Sequence, residues 1–378
     1  MHVRRLELTD FRSYPHADVE LPEGPSVFVG PNGHGKTNLV ESLGYLATGN
    51  SHRVASDQPL VRHGADRAFV RAAIVHEGRE LLAELGIVPG KANQAKLNRA
   101  SLPRARDILG ALKAIVFAPE DLALVRGDPQ QRRRMLDELL VARYPRYVAV
   151  RADYDRVIKQ RNALLRTAYL ARKTGGRGNT DLHTLDIWDA HLAEYGSDLL
   201  YGRLALLEEY APYVVKAYES VSAGRGRPRL HYATSLDDGA PLTADRSLLH
   251  ARLSAGLASA RSRETERGTT LVGPHRDDIT LDLGDLPAKG YASHGEAWSY
   301  ALALRLGAAE LLRAEATAPV LILDDVFAEL DVSRRERLAE LVSFAPQVLV
   351  TCAVAQDVPA DMAGGRFDIY DGQVNRVV

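Results

Sequence analysis

The 378-residue sequence has a single cysteine, Cys352, so an internal disulfide cannot form. This excludes a disulfide-stapled secreted scaffold and favours a reducing, cytoplasmic location. No apolar run approaches the roughly 18 residues that a transmembrane helix needs, so we expect no membrane partner. The first residues, Met1–Glu7, are charged rather than apolar. We therefore expect no secretory signal peptide.

The sequence also lacks an excess of either charge. It has 48 Lys and Arg residues against 49 Asp and Glu residues, a formal net charge of −1. A uniformly basic nucleic-acid coat is therefore excluded, and any DNA binding must come from a local basic surface. The 46% hydrophobic content is that of a folded protein with a sizeable core, and the length suggests two or three domains.

Two kinds of hydrophobic pattern organise the N-terminal third. Period-two alternation and short apolar runs predict strands, at residues 3–8, 17–21, 26–29, 69–75 and 81–87. Apolar residues at helical spacing predict a helix just after residue 37, with Leu39, Val40, Leu43 and Leu46 on one face.

Between the third strand and this helix lies Gly30–Thr37, which reads Gly-Pro-Asn-Gly-His-Gly-Lys-Thr and fits the pattern G-x-x-x-x-G-K-[ST]. Glycines there let backbone N–H groups surround phosphates, Lys36 would reach the β- and γ-phosphates, and the Thr37 hydroxyl would bind Mg²⁺. The strand before and the helix after are the context that this phosphate loop requires. The segment predicts binding of ATP with Mg²⁺.

A phosphate loop needs a carboxylate on a neighbouring strand to hold the metal. The apolar run at 320–323 ends in Asp324 and Asp325, and it follows Lys36 by nearly 290 residues, far more than in a simple P-loop domain. We expect Asp324 to hold Mg²⁺ through water and Asp325 to orient or deprotonate the attacking water. Asp324, Asp325 and Lys36 are the predicted catalytic residues.

A helical segment fills the space between these motifs. Asp128 and Pro129 predict a helix start, and helical character continues to about residue 171 and again over 182–221, joined by a glycine-rich turn. We expect an αα-hairpin or short coiled coil. The predicted division is an ATPase core of residues 1–122 and 312–378, and a helical lobe of residues 123–311.

Ser293 opens a further helix. Ser293-His-Gly-Glu296 fits the capping box S-x-x-E. A helix N-terminus with a free hydroxyl and a glycine, here Gly295, favours anions. Beside a phosphate loop and an acidic strand, this start is interpreted as a second phosphate contact.

The order of these motifs resembles the ATP-binding-cassette heads of the SMC superfamily, and more narrowly the RecF family of bacterial recombinational-repair ATPases. The resemblance covers about residues 3–352 and rests on seven further segments: Leu8–Tyr14, Ser51–Arg53, Phe117–Leu122, Gly127–Pro129, Arg132–Arg134, Gly273–Asp278 and Leu323–Asp331. It implies an α/β fold, a P-loop ABC-type ATPase head with an inserted helical lobe.

The resemblance also implies a weak, DNA-stimulated ATPase that forms an ATP-dependent homodimer on DNA, either at single-strand/double-strand junctions or on gapped or linear duplex. It implies RecR- and RecO-type partners that load RecA, and a role in the SOS response. The expected nucleotide contacts are Gly30, Pro31, Asn32, Gly33, His34, Gly35, Lys36, Thr37, Asn38 and Arg12. Contacts made in trans, from the second protomer, are expected from Ser293, Gly295 and Asp331.

The sequence departs from the pattern of transporter cassettes. Glu296 replaces the signature glutamine, Thr351 and Cys352 stand where a switch histidine is usual, and no glutamine marks the Q-loop. Glu120 and Asp121 are the nearest polar candidates for the Q-loop. These departures predict slow turnover, with ATP acting as a switch.

Three alternatives stay open at this point: another SMC-like ATPase such as an overcoming-lysogenization-type nuclease, the ATPase subunit of a transporter, and a non-catalytic nucleotide-sensing scaffold. Arginines and a lysine near the two polar loops are the candidate phosphate contacts for DNA, although solvation alone would also account for them: Arg172, Lys173, Arg177, Arg225, Arg227 and Arg229.

Overall fold

The computed structural model describes residues 1–173, 183–222, 224, 226–236, 239–315, 317–362 and 364–377. Its strands are β1 (His2–Phe11), β2 (Tyr14–Glu20), β3 (Gly24–Val29), β4 (Ala68–His76), β5 (Arg79–Ile87), β6 (Gln94–Leu97), β7 (Ala100–Ser101), β8 (Ala114–Phe117), β9 (Pro228–Ala233), β10 (Asp278–Leu283), β11 (Leu286–Pro287), β12 (Val320–Asp324), β13 (Gln347–Cys352), β14 (Gly365–Tyr370) and β15 (Gln373–Arg376). Its helices are α1 (Lys36–Thr48), α2 (Leu122–Arg126), α3 (Pro129–Arg143), α4 (Tyr147–Lys173), α5 (His183–Ser222), α6 (Arg246–Arg267), α7 (Ala288–Tyr291), α8 (His294–Ala314) and α9 (Val332–Val342).

The chain divides into two compact units. The first comprises Met1–Arg126, Pro212–Pro228 and Leu283–Val378, and the second comprises Gly127–Ala211 and Arg229–Asp282. The predicted boundary at residue 122 lies close to the observed one. The predicted boundary at 311 is corrected, because residues 283–311 belong to the first unit. The reason is packing: α8 contacts α2 and β8, so the signature helix is part of the ATPase core.

A six-stranded sheet of order β15-β14-β3-β13-β12-β8 organises the first unit, and its strands are parallel except for β15. Every residue of β12 and β13 is buried. Strands buried on both faces read as continuous apolar runs, which is why the apolar run at 320–323 marks β12 in the sequence. Asp324 pairs in register with Thr351, so the strand ends carry neighbouring polar side chains.

A second, antiparallel sheet of order β2-β1-β4-β5-β6-β7 shares its core with α1. The predicted apolar stripe of that helix is confirmed, since all four of its residues are almost completely buried. Gln347, at the start of β13, links the two sheets. Its buried side-chain amide accepts from Val3 N at 2.8 Å and donates to Val3 O at 2.8 Å. Both the oxygen and the nitrogen of this buried amide are hydrogen-bonded, so the side chain is held in one orientation.

The predicted αα-hairpin is present in the second unit. The contacts run in opposite directions along α4 and α5: Tyr147 with Gly202, Tyr154 with Gly196, and Arg161 with Asp189. The helices are therefore antiparallel, with close approach at the two glycines. Most of the predicted turn, including Arg177, lies outside the described residues, as does Arg225.

Two helical details differ from the prediction. The expected continuous helix from 129 to 171 is two helices, α3 and α4, interrupted around Pro145, which cannot donate a helical hydrogen bond. Helix α6 was not predicted, although its buried residues Leu249, Leu253 and Leu257 lie four residues apart on one face. No helix among the described residues combines the length and apolar character needed to cross a membrane.

Candidate nucleotide site

The loop between β3 and α1 has the backbone of a phosphate cradle. Gly33 and Gly35 have φ angles of 86° and 112°, a left-handed region that other residues rarely adopt. A Cβ on Gly30 would lie 2.1 Å from the Ile369 carbonyl oxygen. Gly35 is the N-cap of α1 and supplies no side-chain cap, so the first helical N–H groups are available to an anion.

Lys36 lies across the mouth of this loop. Its ammonium donates to Pro31 O at 3.2 Å and to the Asn32 Oδ1 at 3.3 Å, while the side chain is 3% exposed. Both acceptors are neutral oxygens. A buried ammonium held by neutral groups is positioned to gain a charged partner when phosphate enters.

Asp324 is the centre of a hydroxyl–carboxylate cluster. Its Oδ1 accepts from Thr37 Oγ1 at 2.9 Å and from Thr351 Oγ1 at 2.7 Å, and His52 Nε2 lies 3.4 Å from Oδ2. Thr37 and Asp324 offer adjacent hard oxygens. Mg²⁺ takes such ligands in small number and completes its shell with water and phosphate oxygens, so this donor set fits it.

Asp325 has the features of a proton acceptor. It sits at φ 52°, and its backbone N–H donates to Thr351 Oγ1 at 2.9 Å. Burial raises the pKa of its carboxyl above the ordinary value of 3.8, and the charges of Asp324 and Glu120 act in the same direction, partly offset by Lys36. A carboxylate with a raised pKa is a better base near neutral pH.

The two candidates for the Q-loop position have different environments. Glu120 is exposed, and its charge contributes to the raised pKa of Asp325. Asp121 is buried and accepts from Arg305 of α8 at 2.6 Å and from the Ala118 N–H at 3.0 Å. Glu120 therefore faces the site, whereas Asp121 anchors the signature helix.

Arg12 is held by a buried carboxylate. Its guanidinium pairs in bidentate fashion with Glu41, at 2.6 and 2.9 Å, and Glu41 is completely buried. A buried carboxylate requires such a partner. The expected contact of Arg12 with the nucleotide stays a prediction. Asn38 is similarly engaged, donating to Ser13 Oγ at 2.9 Å and accepting from Arg53 at 2.8 Å.

His34 is held by the C-terminal hairpin. Its ring stacks on Tyr370 at 4.7 Å between centroids, and its Nδ1 accepts from the Asp371 N–H at 3.2 Å. The side chain thus packs against β14 and the turn that follows it, while its backbone stays in the loop.

The predicted signature residues meet around a separate cavity of about 400 Å³, lined by residues of α5, α8 and α9. Ser293 caps α8, and the capping box is confirmed: Ser293 N donates to Glu296 Oε2 at 2.8 Å, and Glu296 N donates to Ser293 Oγ at 3.3 Å. Asp331 caps α9 by accepting from Arg334 N at 2.9 Å. Gly295 has no side chain, and this leaves room for the Arg334 guanidinium: a Cβ at position 295 would lie only 2.9 Å from Arg334 Nη2. Ser293, Gly295 and Asp331 therefore form one group, distinct from the P-loop group.

The sequence assigns no role to His52. For Thr351 it shows only that this residue stands where a switch histidine is usual. The structure brings both to Asp324. The available signal was a polar residue at the end of β13, whose parallel neighbour ends in the two acids.

Comparisons with known proteins agree with this geometry. The family model described as the RecF/RecN/SMC N terminal domain matches residues 2–362. The DNA replication and repair proteins RecF of Streptomyces avermitilis and Frankia alni are each 58% identical over 100% of both chains. The solved structure of a recombination mediator protein RecF with ATP in the RecFOR pathway superimposes with a TM-score of 0.89 at 27% identity, covering 100% of this chain and 98% of that one.

A Smc head domain from Pyrococcus yayanosii shares the fold, with a TM-score of 0.57 at 15% identity over 100% of this chain and 96% of that chain. The P-loop, the acidic strand end, the signature helix and the helical lobe thus occur together in one architecture. The chain belongs to the RecF family and has the P-loop ABC-type ATPase head of the SMC superfamily, with an inserted helical lobe.

Proposed function

We propose that this protein is an ATP-dependent DNA-binding protein of recombinational repair and replication restart. Full-length relatives named as DNA replication and repair proteins support the biological role, and a relative solved with ATP supports the nucleotide. The single observation that carries the chemistry is the cluster of Thr37 and Thr351 on Asp324, with Asp325 beside it.

ATP binds with its phosphates in the Gly30–Thr37 loop, and Lys36 exchanges its neutral acceptors for the β- and γ-phosphates. Thr37 and Asp324 would hold Mg²⁺, which neutralises charge that develops on the phosphates when bound. Asp325 orients the attacking water and accepts its proton. Thr351 fixes Asp324 and Asp325 relative to each other because it donates to one and accepts from the other.

The signature group supports a homodimer. Ser293 and Gly295 open α8 at a cavity separate from the P-loop, so we assign their phosphate contact to ATP held by a second protomer. The γ-phosphate then contacts both protomers, and its loss on hydrolysis removes the contact that favours the closed state. We propose that this clamp closes on DNA at single-strand/double-strand junctions or gaps, with RecO- and RecR-type partners promoting RecA loading and the SOS response.

The test is Asp325→Asn, measured by ATP turnover and by light scattering with ATP, ADP or no nucleotide, with and without gapped DNA. Removing the base should lower turnover by at least about 100-fold while ATP binding is kept and the ATP dimer persists. The matched control is Asp368→Asn, the same chemical change at a partly exposed carboxylate of β14 that pairs with Arg366.

Unchanged turnover in Asp325→Asn would overturn the assignment of the base and favour the nucleotide-sensing scaffold. A wild-type chain that stays monomeric with ATP and gapped DNA would overturn the clamp. A DNA-stimulated turnover of hundreds per second would contradict the slow switch. Such a rate lies in the upper part of the range of ordinary metabolic enzymes, which is 1 to about 1,000 per second.

A further inference from the structure

Helix α4 carries a row of cations on its exposed face. Its acidic residues, Asp153 and Asp155, lie in the first turns, and residues 156–173 contain no Asp or Glu. Lys159, Arg166 and Lys173 are all exposed and follow one another at seven-residue intervals. Seven residues are close to two helical turns, so the three side chains share one face, over a row of about 21 Å.

Helix α6 packs parallel to α4, so its exposed residues on that side lie beside this row. Arg161 of α4 donates to Glu264 of α6 at 2.7 Å, and about one helical turn further along both helices a Cβ on Gly268 would lie 3.5 Å from the Arg166 Cα. The acids of α6 are Glu264, which is completely buried, and Glu266.

Two exposed cations of α6, Arg263 and Arg267, lie away from its contacts with α5. Arg261 reaches Asp186 and Asp189 of α5, each at 2.6 Å. At 100° per residue, Arg263 and Arg267 lie about 200° and 240° around the helix from Arg261, and both are exposed. They lie only about 100° and 60° from Glu264, which contacts Arg161 of α4, so both flank the α4 side of the helix.

The face is rigidly supported from within. Arg161, with 0% exposure, pairs with Asp189 at 2.6 Å and with Glu264 at 2.7 Å, and it donates to Thr270 Oγ1 at 2.9 Å. This one guanidinium ties α4 to both α5 and α6. Among the described residues, none of the five surface cations has an ion-pair partner: Lys159, Arg166, Lys173, Arg263 and Arg267.

We propose that these five residues form a basic face that binds the sugar-phosphate backbone of double-stranded DNA. The inference rests on the proposed function and gives it a surface, in a chain whose net charge of −1 demands that DNA binding be local. A row of about 21 Å spans more than half of one 34 Å duplex turn. Lysine and arginine contacts of this kind bind phosphate without reading sequence.

The test measures binding of a fluorescent 30-base-pair duplex, with ATP, over a series of salt concentrations. The triple variant Lys159→Ala/Arg166→Ala/Lys173→Ala should lower the slope of log affinity against log salt by about 2.7, which is 0.9 for each phosphate contact. At 150 mM salt the affinity should fall on the order of 100-fold. The double variant Arg263→Ala/Arg267→Ala should lower the slope by about 1.8.

The control removes the same charge elsewhere. Arg67→Ala/Arg79→Ala/Lys91→Ala takes three exposed cations from the first unit, and it should leave the slope unchanged. Thermal unfolding midpoints of all variants exclude a folding defect. If the triple variant keeps the wild-type slope, the inference fails and an acidic protein becomes the better occupant of the face. If the wild-type chain binds neither this duplex nor gapped DNA at any salt concentration, the proposed function itself fails.

Discussion

Two clusters of buried charge in this protein are built in opposite ways. At the nucleotide site, Asp324 and Asp325 are neighbours, and the pKa of Asp325 is raised by its burial and by nearby acids. Lys36 is held only by the neutral oxygens described above. In the second unit, by contrast, Arg161 and Arg203 each lie against carboxylates in ideal geometry. In the first cluster Lys36 has no ion-pair partner among the described residues, and a ligand phosphate could supply one. In the second cluster each guanidinium is already paired with a carboxylate, and the pairs support the fold.

The Arg203 cluster shows how complete this satisfaction is. Arg203 donates to both oxygens of Asp137, at 2.7 and 2.9 Å, and to Pro274 O at 2.7 Å. Tyr232 donates to Asp277 Oδ2 at 3.0 Å, and Asp277 Oδ1 accepts from Ser235 N at 2.7 Å. A buried charge that loses its partner in such a network is left uncompensated, which is costly.

Breaking the structural cluster should produce the largest effect. Asp137→Ala leaves the guanidinium of Arg203 buried without its carboxylate, so the free energy of unfolding should fall by about 3–5 kcal/mol. Urea denaturation followed by circular dichroism measures it. The control is Asp198→Ala, which breaks the exposed pair with Arg246 (3.4 Å) and should cost less than about 1 kcal/mol. Equal losses in the two variants would remove the distinction between the clusters.

Breaking the ligand-directed cluster should leave the fold intact. Lys36→Ala removes a charge-assisted contact of about 1.5–3 kcal/mol to phosphate, so ATP affinity should fall roughly 10- to 100-fold. Because the ammonium has neutral hydrogen-bond acceptors and acts on Asp325 only as a nearby charge, the free energy of unfolding should decrease far less than in Asp137→Ala. Calorimetric ATP titration and urea denaturation give the two values, and the exposed Lys91→Ala serves as control. A stability loss as large as that of Asp137→Ala would show that Lys36 is a structural charge.

The smallest expected effect is a pH dependence of stability that originates in the second unit, at His275. Burial lowers the pKa of His275 to about 3 from 6.5, and its Nδ1 lies 2.7 Å from Tyr154 Oη. Between those two values the unfolded chain binds one more proton than the folded chain. Stability should therefore decrease as pH falls below about 6.5, by at most about 1.4 kcal/mol per pH unit.

His275→Gln should reduce this acid sensitivity, as read from urea midpoints at pH 7, 6 and 5. The exposed His250→Gln should keep it. Turnover should behave differently on acidification: the raised pKa of Asp325 predicts loss of hydrolysis at a pH above the ordinary 3.8 of an aspartate. An acid sensitivity that survives in His275→Gln would assign the effect to another group.

Much of the nucleotide site was predictable because its signals are local. The phosphate loop needs glycines at positive φ, so Gly33 and Gly35 mark it in the sequence itself. Asp324 and Asp325 follow the apolar run at 320–323, and such a short continuous run is typical of a strand buried in a sheet. The capping box at Ser293 is likewise a four-residue pattern, and it forms as expected.

The sequence is least informative where partners are distant in the chain. Arg12 carries no sign that it pairs with Glu41, 29 residues later. Helix α8 was placed in the helical lobe because it follows that lobe in the chain, yet its packing on α2 and β8 places it in the core. Helix α6 was missed although Leu249, Leu253, Leu257 and Ala260 recur at helical spacing and are buried.

The sequence by itself determined the chemistry of this protein: a phosphate loop, an acidic strand end and a capped helix start, each defined by residues that are neighbours in the chain. Only the tertiary structure decided which charges are free to act. Thr351 hydrogen-bonds the Asp324 carboxylate and the Asp325 backbone, and Arg161 is paired with carboxylates inside the second unit. The physical reason is that a charge becomes functional or structural according to its neighbours in space, and these come from segments up to several hundred residues apart.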